Sequence, residues 1–544
     1  MKASDLFVRQ LEEEGVRFIF GLPGEENLDL LESLRKSAIR LIICRHEQAA
    51  AFMAATYGRL TGRAGVCFST LGPGATNLVT GIAHAQLIGA PLVSLSGQKA
   101  LRHNRQGKFQ LVDVSALMKP ITKKTFSLTD PDTIPTVLRE AFKTAEAERP
   151  GAVHVELPED VAAEETKSAV QKRSEIRRPV ADERVLARAA ELIGQAKNPL
   201  IIVSAGANRR RIAEALLDFV RKTGIYAVHT QMGKGIIPDD CPFSLHTLGI
   251  HTRDYVYCGI DRADLLITVG YHIVEYPPSL WNSEADKTIL NIDFVPAETD
   301  RYFNPHRELV GDIAHSLKML GKMTVGERDF PLFRKTRELV EEKIKRNVPD
   351  SYPLHPGRVV LAVRETMAER DIVVLDNGIY KLWFSRLYPA FHYNTVLLDN
   401  ALATMGAGLP AGIAAGLCCP DRKILAVCGD GGFLMNSQEL ETAVRCGIPL
   451  VVLIVNDDAF GFIKWKQQKR GFAPYALDYG NPDFVRYAES FGAAGFRVQP
   501  GDDLAHVLQK AFSSGRVAVV ECPIDYSVNY EVFSTELENV VCGF

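Results

Sequence analysis

The sequence predicts an α/β protein of three doubly wound domains, each built on a parallel β-sheet. Short apolar runs alternate with longer helical patterns along most of the 544 residues, as strands and helices do in such sheets. The alternation falls into three blocks, and at roughly 150 residues per domain the length fits about three or four domains. We expect the domains to cover residues 1–175, 176–345 and 346–544.

The first block contains three apolar runs with the length and composition of buried strands. They occupy residues 41–44, 65–69 and 91–95. A helical pattern at 47–60 separates the first two runs, and a loop rich in Gly, Pro and Asn at 71–77 follows the second. This order of strand, helix, strand and loop predicts a parallel sheet.

The last block repeats that order. Apolar runs at 372–375, 424–427 and 449–455 predict strands, and the pattern across 405–417 predicts a helix. The second of these strands is followed by a glycine-rich turn at 429–432. The similarity suggests two related domains at opposite ends of the chain.

A third sheet is predicted between these blocks. Its strands correspond to apolar runs at 199–203, 264–269 and 289–293. The stretches around 164–184 and 327–354 contain prolines, many charges and few apolar side chains. We therefore expect these two stretches to be exposed connections.

Composition and charge argue against several classes of partner. The chain has 63 Lys and Arg against 66 Asp and Glu, a net charge of -3 and a pI near 6.5, so it lacks the basic surface of a nucleic-acid binder. No apolar stretch approaches the length of about 18 residues that a membrane span needs. No apolar signal region precedes the amphipathic pattern at the start, so export is not expected.

The ten cysteines show neither a C-x-x-C pair nor the spacing of a metal site. Cys418 and Cys419 are adjacent, which is awkward for separate disulfides. This usage predicts a reducing, cytoplasmic location.

The turn at 429–432 has the sequence GDGG and lies between a strand-like run and a helical pattern. Free backbone N–H groups and the helix dipole can bind a phosphate at such a point, and glycine permits its close approach. Tight turns between strand and helix also need glycine, so the motif alone leaves open whether a ligand binds.

An acidic segment, 456–458, follows the next predicted strand. Asp457 lies 27 residues after Asp430, the length of one helix and one returning strand, so both loops are expected at the same edge of a parallel sheet. Two carboxylates there repel one another unless a cation lies between them, and oxygen ligands beside a diphosphate favour Mg²⁺ or Ca²⁺. A solvated acidic loop is the alternative.

The combined spacing resembles the signature of the thiamine-diphosphate enzymes. The resemblance implies their architecture, with pyrimidine-binding, central and diphosphate-binding domains in this order. It also implies that Mg²⁺ is held by the side chains of Asp430 and Asp457 and by the backbone carbonyl of Ala459, and that Gly431 and Gly432 contact the diphosphate. The family usually has Asn at the position of Asp457, and Asp is likewise an oxygen donor.

The segment 45–54 resembles the family segment that carries an essential glutamate, here Glu47. Hydrogen-bonded to the aminopyrimidine of the cofactor, such an acid stabilises the imino form that removes the C2 proton. A glutamate that only interacts with the helix dipole is the alternative. Because Glu47 and the GDGG turn lie in different domains, the resemblance implies a site between subunits, and hence a homodimer or homotetramer.

Further residues match cofactor or substrate contacts of the family. Met405 matches the large apolar residue that bends the cofactor, and a side chain that fills a gap in the core is the alternative for it. The carbonyl of Ala403 would accept a hydrogen bond from the amino group of the cofactor's aminopyrimidine. Gln110 and Lys123 match segments that face cofactor or substrate, with a surface role as the alternative for Lys123. The remaining implied cofactor contacts are Gly24, Pro73, Asn77, Gly378, Phe460 and Gly461.

Over almost the whole chain the resemblance is strongest to acetolactate synthases, particularly the FAD-independent catabolic type. The segment 270–282 resembles the catabolic version and lacks the Arg-Phe-Asp-Asp-Arg sequence associated with FAD, so FAD is not expected. Lys466 stands where biosynthetic enzymes have a Trp that favours 2-oxobutyrate, which makes pyruvate the preferred acceptor. The segment 459–466 partly resembles the biosynthetic sequence and leaves the substrate pocket open.

The resemblance implies decarboxylation of pyruvate on thiamine diphosphate and condensation of the resulting enamine with a second pyruvate, giving 2-acetolactate and CO₂. A different 2-oxo acid decarboxylase or carboligase is the alternative within the family. Glyoxylate carboligase is one example, but Glu47 argues against it, because that enzyme lacks this acid. A flavin oxidase related to pyruvate oxidase and an inactive cofactor-binding protein would fit the same motifs.

Overall fold

The computed structural model describes residues 1–103, 109–174, 178–250, 254–324, 326–344, 348–540 and 542. These residues form three six-stranded sheets in which the paired strands are parallel, so the predicted fold class is confirmed. None of the helices among the described residues has the length and apolar character needed to cross the lipid core of a membrane.

The first domain contains the sheet nearest the amino terminus. Its strands are β1 (Phe18–Gly21), β2 (Arg40–Ile43), β3 (Gly65–Ser69), β4 (Leu92–Gln98), β5 (Lys124–Ser127) and β6 (Ala152–Pro158). Its helices are α1 (Ala3–Glu13), α2 (Leu28–Arg35), α3 (Glu47–Thr61), α4 (Pro73–Asn77), α5 (Val79–Ile88), α6 (Val114–Met118), α7 (Ile134–Glu146) and α8 (Glu159–Ala163).

The central domain contains the second sheet. Its strands are β7 (Pro199–Val203), β8 (Ala227–His229), β9 (Ser244–Thr247), β10 (Leu265–Val269), β11 (Thr288–Asp293) and β12 (Arg307–Val310). Its helices are α9 (Glu183–Gln195), α10 (Arg210–Thr223), α11 (Tyr257–Arg262), α12 (Ile313–Met323) and α13 (Pro331–Ile344).

The last domain contains the third sheet. Its strands are β13 (Ile372–Leu375), β14 (Val396–Leu397), β15 (Ile424–Gly429), β16 (Leu450–Asn456), β17 (Ala494–Arg497) and β18 (Ala518–Pro523). Its helices are α14 (Pro356–Thr366), α15 (Tyr380–Leu387), α16 (Gly408–Cys418), α17 (Asp430–Met435), α18 (Glu439–Arg445), α19 (Gly461–Lys469), α20 (Phe484–Ser490) and α21 (Leu504–Ser513).

The first and last sheets have the same topology, as the internal similarity suggested. Their strand orders are β2-β1-β3-β4-β6-β5 and β14-β13-β15-β16-β18-β17, whereas the central sheet runs β12-β11-β10-β7-β8-β9. The corresponding helices α3 and α16 pack against each other, and one continuous apolar core includes residues of both domains. This packing fixes the first domain of the chain against its last domain.

The expectation of an exposed connection at 327–354 is wrong for part of that stretch. Helix α13 lies within it, and Phe333 and Val340 are buried in the core of the central domain. Its apolar residues are few, but their helical spacing places them on one face, which is sufficient to bury that face.

The cysteine pattern also failed to indicate one covalent link. Cys258 on α11 and Cys542 near the end of the chain form a disulfide that spans 284 positions of sequence. Such a long separation leaves no local spacing from which the pairing could be predicted.

Candidate active site

Two acidic side chains meet at the carboxyl edge of the last sheet, as the sequence predicted. Asp430 opens α17 directly after β15, and Asp457 follows the adjacent strand β16. Burial raises the pKa of Asp430, and burial together with repulsion from Asp430 raises the pKa of Asp457 to about 7. Both shifts are those of carboxylates that a cation would stabilise.

Asn481 lies among these acids and was not predicted. Its Nδ2 donates to Oδ2 of Asp430 at 2.7 Å, to Oδ1 of Asn456 at 3.1 Å and to Oδ1 of Asp458 at 2.8 Å. Its Oδ1 is buried and has no hydrogen-bond partner among the described residues. The only signal in the sequence is an Asn-Pro dipeptide at 481–482, which indicates a turn but no ligand.

Ala459 belongs to the loop between β16 and α19, two residues after Asp457. Its carbonyl accepts hydrogen bonds from the backbone N–H of Gly461 at 3.0 Å and from the hydroxyl of Tyr479 at 3.2 Å. The ring of Phe460 lies 4.9 Å from the ring of Tyr479, measured between centroids. A cation that binds this carbonyl would therefore compete with the Tyr479 hydroxyl.

Close packing explains why three positions around the acids are glycine. A Cβ atom at Gly431 would lie 2.6 Å from Oη of Tyr479, and one at Gly461 would lie 2.5 Å from Oδ2 of Asp457. At Gly432 the added atom would lie 2.4 Å from a carboxylate oxygen of Asp376. Gly431, Gly432 and Gly461 thus form a tightly packed glycine cradle in which any larger side chain would clash.

The donor set fits a divalent cation bound together with a diphosphate. It offers two carboxylates, one carbonyl and the buried amide oxygen of Asn481. No group of three or more His, Cys, Asp or Glu side chains suited to a metal occurs in the part of the chain that the structure describes. A hard cation here would complete its coordination with oxygens of its ligand or of water.

Ala403 and Met405 lie in a turn that precedes α16. The helix begins at Gly408, so the expectation of a helix from residue 405 is wrong at its start. Ala403 and Gly406 have left-handed backbone conformations, with φ of 53° and 84°, and these conformations interrupt a helix. The turn therefore displays the Ala403 carbonyl and the Met405 side chain instead of including them in a helix.

A buried carboxylate fixes the end of this turn. Asp376 accepts hydrogen bonds from the backbone N–H groups of Gly406 at 3.0 Å and Ala407 at 3.2 Å. Burial raises its pKa to about 6 in spite of these bonds. Gly378 follows two residues later, where a Cβ atom would lie 2.3 Å from the ring of Tyr380.

Glu47 is the first residue of α3, and only 8% of its surface is exposed. Its Oε2 accepts a hydrogen bond from Nδ2 of Asn77 at 2.9 Å. A Cβ atom at Gly74 would lie 3.2 Å from its Oε1, so helix α4, which begins with Pro73 where a loop was expected, packs closely against the carboxylate. The structure thus brings Glu47 together with Gly74 and Asn77 of this helix.

Gly24 and Gln110 border the same edge of the first sheet. A Cβ atom at Gly24 would lie 2.3 Å from Cβ of Thr70, which comes directly after β3. Gln110 is exposed, has a left-handed φ of 57° and packs its backbone against Gly72. Both residues therefore lie near the segment between β3 and α4, which leads directly to the residues that contact Glu47.

Lys123 lies away from this edge, and its contact with cofactor or substrate stays a prediction. Its Nζ donates to the carbonyls of Ala147 and Arg149, each at 2.8 Å, and burial lowers its pKa to about 8. Lys123 precedes β5, at the level where β6 begins, whereas Glu47 follows the carboxyl end of β2. Within one chain the two residues are on opposite edges of the sheet.

The amino end of α3 also contacts the last domain of the same chain. Oε1 of Glu439 accepts from the backbone N–H groups of Arg45 at 2.9 Å and His46 at 3.0 Å. Nδ2 of Asn436 donates to Oε1 of Gln48 at 3.0 Å and to the carbonyl of Gly406 at 2.8 Å. The residues next to Glu47 therefore meet the end of α17 that is remote from Asp430.

Comparison with protein families assigns all three domains. The thiamine pyrophosphate enzyme N-terminal TPP binding domain matches residues 1–117, the central domain of these enzymes matches residues 186–320, and their C-terminal TPP binding domain matches residues 376–522. The fold and the site therefore define a thiamine-diphosphate enzyme.

Similarity to individual proteins shows to which group of thiamine-diphosphate enzymes the chain is related. The chain is 33% identical to acetolactate synthase of Bacillus subtilis (strain 168), over 98% of this chain and 95% of the relative. It is 35% identical to the catabolic acetolactate synthase of Raoultella terrigena, over 97% and 95%. A probable acetolactate synthase large subunit of Methanocaldococcus jannaschii is 33% identical, over 96% and 92%. The chain belongs to the acetolactate synthase family.

Proposed function

We propose that this protein is an FAD-independent acetolactate synthase that converts two molecules of pyruvate to 2-acetolactate and CO₂. The proposal depends on the presence of two features in one chain. The first sheet has the buried Glu47 beside Asn77 at its carboxyl edge, and the last sheet has Asp430 and Asp457 beside the glycine cradle at its own. The names of the relatives, one of them a catabolic acetolactate synthase, support the reaction.

The last domain would hold the metal and the diphosphate. The side chains of Asp430 and Asp457 and the carbonyl of Ala459 would bind Mg²⁺, while Gly431 and Gly432 present backbone N–H groups to the diphosphate. Thiamine diphosphate, when bound, supplies a thiazolium that accepts the electrons released by decarboxylation. The raised pKa values of the two acids support this assignment, since a cation removes the repulsion between them.

Glu47 would hold a proton beside the aminopyrimidine, with Asn77 orienting its carboxylate. Ala403 would accept a hydrogen bond from the amino group, and Met405 would support the rings from below. Gln110 stays as the proposed substrate contact, and the corresponding role of Lys123 also stays a proposal, although its Nζ binds two carbonyls. The other proposed cofactor contacts are Gly24, Pro73, Gly378, Phe460 and Gly461.

We further propose a homodimer or homotetramer with each site between subunits. Within one chain the residues next to Glu47 contact Asn436 and Glu439, beyond the end of α17, while Asp430 begins that helix. Large apolar side chains are exposed near both edges of the proposed site, and exposed apolar clusters indicate contact surfaces. They are Leu28, Phe109, Phe460, Ile463, Phe472 and Tyr475.

The remaining features that the sequence predicts belong to the same proposal. FAD is not required, because segment 270–282 lacks the FAD-associated sequence, and pyruvate is the acceptor, because Lys466 stands where the biosynthetic enzymes have Trp. We also propose small 2-oxo acids as the ligands besides the cofactor, and domain limits near residues 175 and 345. A cytoplasmic location is proposed from the other eight cysteines, which are free, with the Cys258–Cys542 disulfide as the exception to a reducing environment.

The proposal is tested with purified protein, pyruvate, thiamine diphosphate and Mg²⁺, without added FAD. Acetolactate, detected as acetoin after acid treatment, is expected in proportion to the pyruvate consumed. Acetaldehyde as the only product would instead indicate a decarboxylase. Turnover that requires FAD, or flavin absorbance in the purified protein, would contradict the FAD-independent assignment, and consumption of glyoxylate in place of pyruvate would contradict the substrate.

A further inference from the structure

A second buried carboxylate organises the turn that contains Ala403. Asp399 follows β14, and its side chain is 11% exposed. Its Oδ1 accepts from the backbone N–H of Ala401 at 2.7 Å, and its Oδ2 accepts from that of Ala403 at 2.8 Å, with Leu402 bonded more weakly. These bonds hold Ala403 in its left-handed conformation, which a residue other than glycine seldom adopts unaided.

The partner of this carboxylate comes from the first domain. Nδ1 of His84, on α5, lies 3.1 Å from Oδ2 of Asp399, and the histidine side chain is 9% exposed. The ring of His84 meets the ring of Phe52 on α3 edge-on, at 5.2 Å between centroids. Packing therefore fixes the imidazole, so that its nitrogen is directed at the carboxylate.

Positive groups from several helices surround Asp399. Burial alone raises its pKa, but His84, the N–H of Ala401 and the ammonium of Lys381 together hold that pKa well below its ordinary value. Nζ of Lys381 donates to the backbone carbonyl of Asp399 at 2.8 Å. Arg59, on the helix that begins with Glu47, donates to the carbonyl of Leu398 at 2.9 Å. The turn is thus anchored from α3, α5 and α15.

We propose that His84 and Asp399 form a positioning pair that sets the Ala403 carbonyl and Met405 against the pyrimidine half of the cofactor. This inference rests on the proposed function, because it assumes that the turn contacts that ring. The pair acts through the turn and touches neither the acids nor the glycines of the diphosphate cradle. Its loss should therefore weaken binding of the pyrimidine half and leave binding of the diphosphate half unchanged.

The test compares two ligands by calorimetry in the absence of pyruvate: thiamine diphosphate with Mg²⁺, and inorganic pyrophosphate with Mg²⁺. The variants are His84→Ala, Asp399→Asn and His84→Asn, whose amide N–H takes the place of Nδ1 and can still donate to Asp399. His392→Ala is the control, because it removes a partly exposed histidine that faces Glu369 at 3.8 Å in the same domain. Circular dichroism verifies that each variant is folded.

In His84→Ala and Asp399→Asn we expect the dissociation constant for thiamine diphosphate to rise about tenfold, and that for pyrophosphate to stay within about twofold of wild type. His84→Asn should stay within about threefold for both ligands, and His392→Ala should change neither affinity. This pattern would support the pair as a positioning device.

Equal weakening of both ligands in His84→Ala would overturn the inference, because it would show general destabilisation of the domain. Unchanged affinity for thiamine diphosphate in His84→Ala and Asp399→Asn would overturn it as well, while leaving the proposed function intact. Wild-type protein that binds pyrophosphate but not thiamine diphosphate would overturn the proposed function and this inference together.

Discussion

The first and last domains share one strand order but present different chemistry at matching loops. After the second strand, α3 begins almost at once with Glu47, whereas a long turn containing Ala403 and Met405 precedes the corresponding α16. After the third strand, Pro73 opens a helix in the first domain and Asp430 opens one in the last. In the function proposed above, one scaffold thus provides two complementary halves of a site.

The difference shows where function resides in such sheets. The strands at the middle of both sheets, such as β3, β15 and β16, are mainly apolar and indicate little about chemistry. The first helical residue after a strand instead determines whether the connection offers an acid or a proline. The comparison also predicts which substitutions should affect one half of the site and spare the other.

The largest effect is expected from removing the acid that opens α17. Asp430→Asn should weaken Mg²⁺-dependent binding of thiamine diphosphate on the order of 100-fold or more, because the cation would lose one of the two negatively charged ligands that the site offers. Calorimetric titration with thiamine diphosphate and Mg²⁺ measures this. The exposed Asp421→Asn of the same domain is the control, and equal affinity in Asp430→Asn and the control would contradict the metal assignment.

In the first domain, Glu47→Gln should separate proton transfer from binding. We expect acetolactate formation to fall about 10²–10³-fold, the usual contribution of a positioned acid, with the affinity for thiamine diphosphate changed much less. Glu183→Gln is a matched control, since Glu183 also begins a helix, α9, but lies in the central domain. If both variants kept full turnover, Glu47 would have only the helix-dipole role.

The last domain also has a terminal segment that the first domain lacks. Phe533 in this segment packs against Trp383 and Trp465, with ring centroids 5.2 and 6.1 Å apart, and the disulfide from Cys542 ties the segment to the central domain. Cys542→Ser should lower the free energy of unfolding by about 2–4 kcal/mol, because the unfolded chain loses a long closed loop.

Urea unfolding followed by tryptophan fluorescence reports on this segment directly, since Trp383 and Trp465 both contact it. Cys446→Ser, which changes a free, partly buried cysteine of the same domain, is the control. Dithiothreitol should shift the midpoint of the wild type and leave that of Cys542→Ser unchanged. A wild-type midpoint that does not respond to dithiothreitol would show that the disulfide contributes no stability.

A smaller effect concerns Asp376, which follows β13 where the first domain has Leu22 after β1. Because burial raises its pKa to about 6, the unfolded chain releases this proton at a lower pH than the folded chain. Stability should therefore fall as the pH rises through this range, and the Asp376 contribution should be about 1 kcal/mol between pH 5 and 7.

Asp376→Asn removes that titration. Urea unfolding of the variant at pH 5 and pH 7 should show a pH dependence smaller by about the same 1 kcal/mol, with Asp421→Asn as the control. An unchanged pH dependence would mean that Asp376 is already ionised at pH 5.

Several central strands could be predicted, because parallel strands buried on both faces are often continuous apolar runs. Predicted runs at 65–69, 199–203 and 372–375 coincide with β3, β7 and β13. The edge strands β5, β12 and β17 escaped prediction, because they are partly exposed and have polar residues. The buried strands β1, β6 and β18 escaped it as well, because β1 is short and polar residues interrupt β6 and β18.

The contacts in the candidate site likewise include some that the sequence could predict and some that it could not. Asp430 and Asp457 follow adjacent strands, so their proximity follows from the parallel topology alone. Asn481 joins them through a loop without periodic pattern, and His84 reaches Asp399 across a domain boundary, so both contacts depend on tertiary packing. The position of Lys123 just before β5 could not be predicted either, because a sequence match does not specify at which end of its strand a residue lies.

The central claim, that the first domain of one subunit and the last domain of another form each site, is tested most directly by mixing two inactive variants. Glu47→Gln and Asp430→Asn chains are produced together and assayed for acetolactate from pyruvate beside the wild type and each variant alone. If sites form between subunits, hybrid dimers keep one intact site, and about a quarter of the wild-type activity should return. No recovery in hybrids shown to have formed would contradict the claim, because it would place Glu47 and Asp430 of a single chain in the same site.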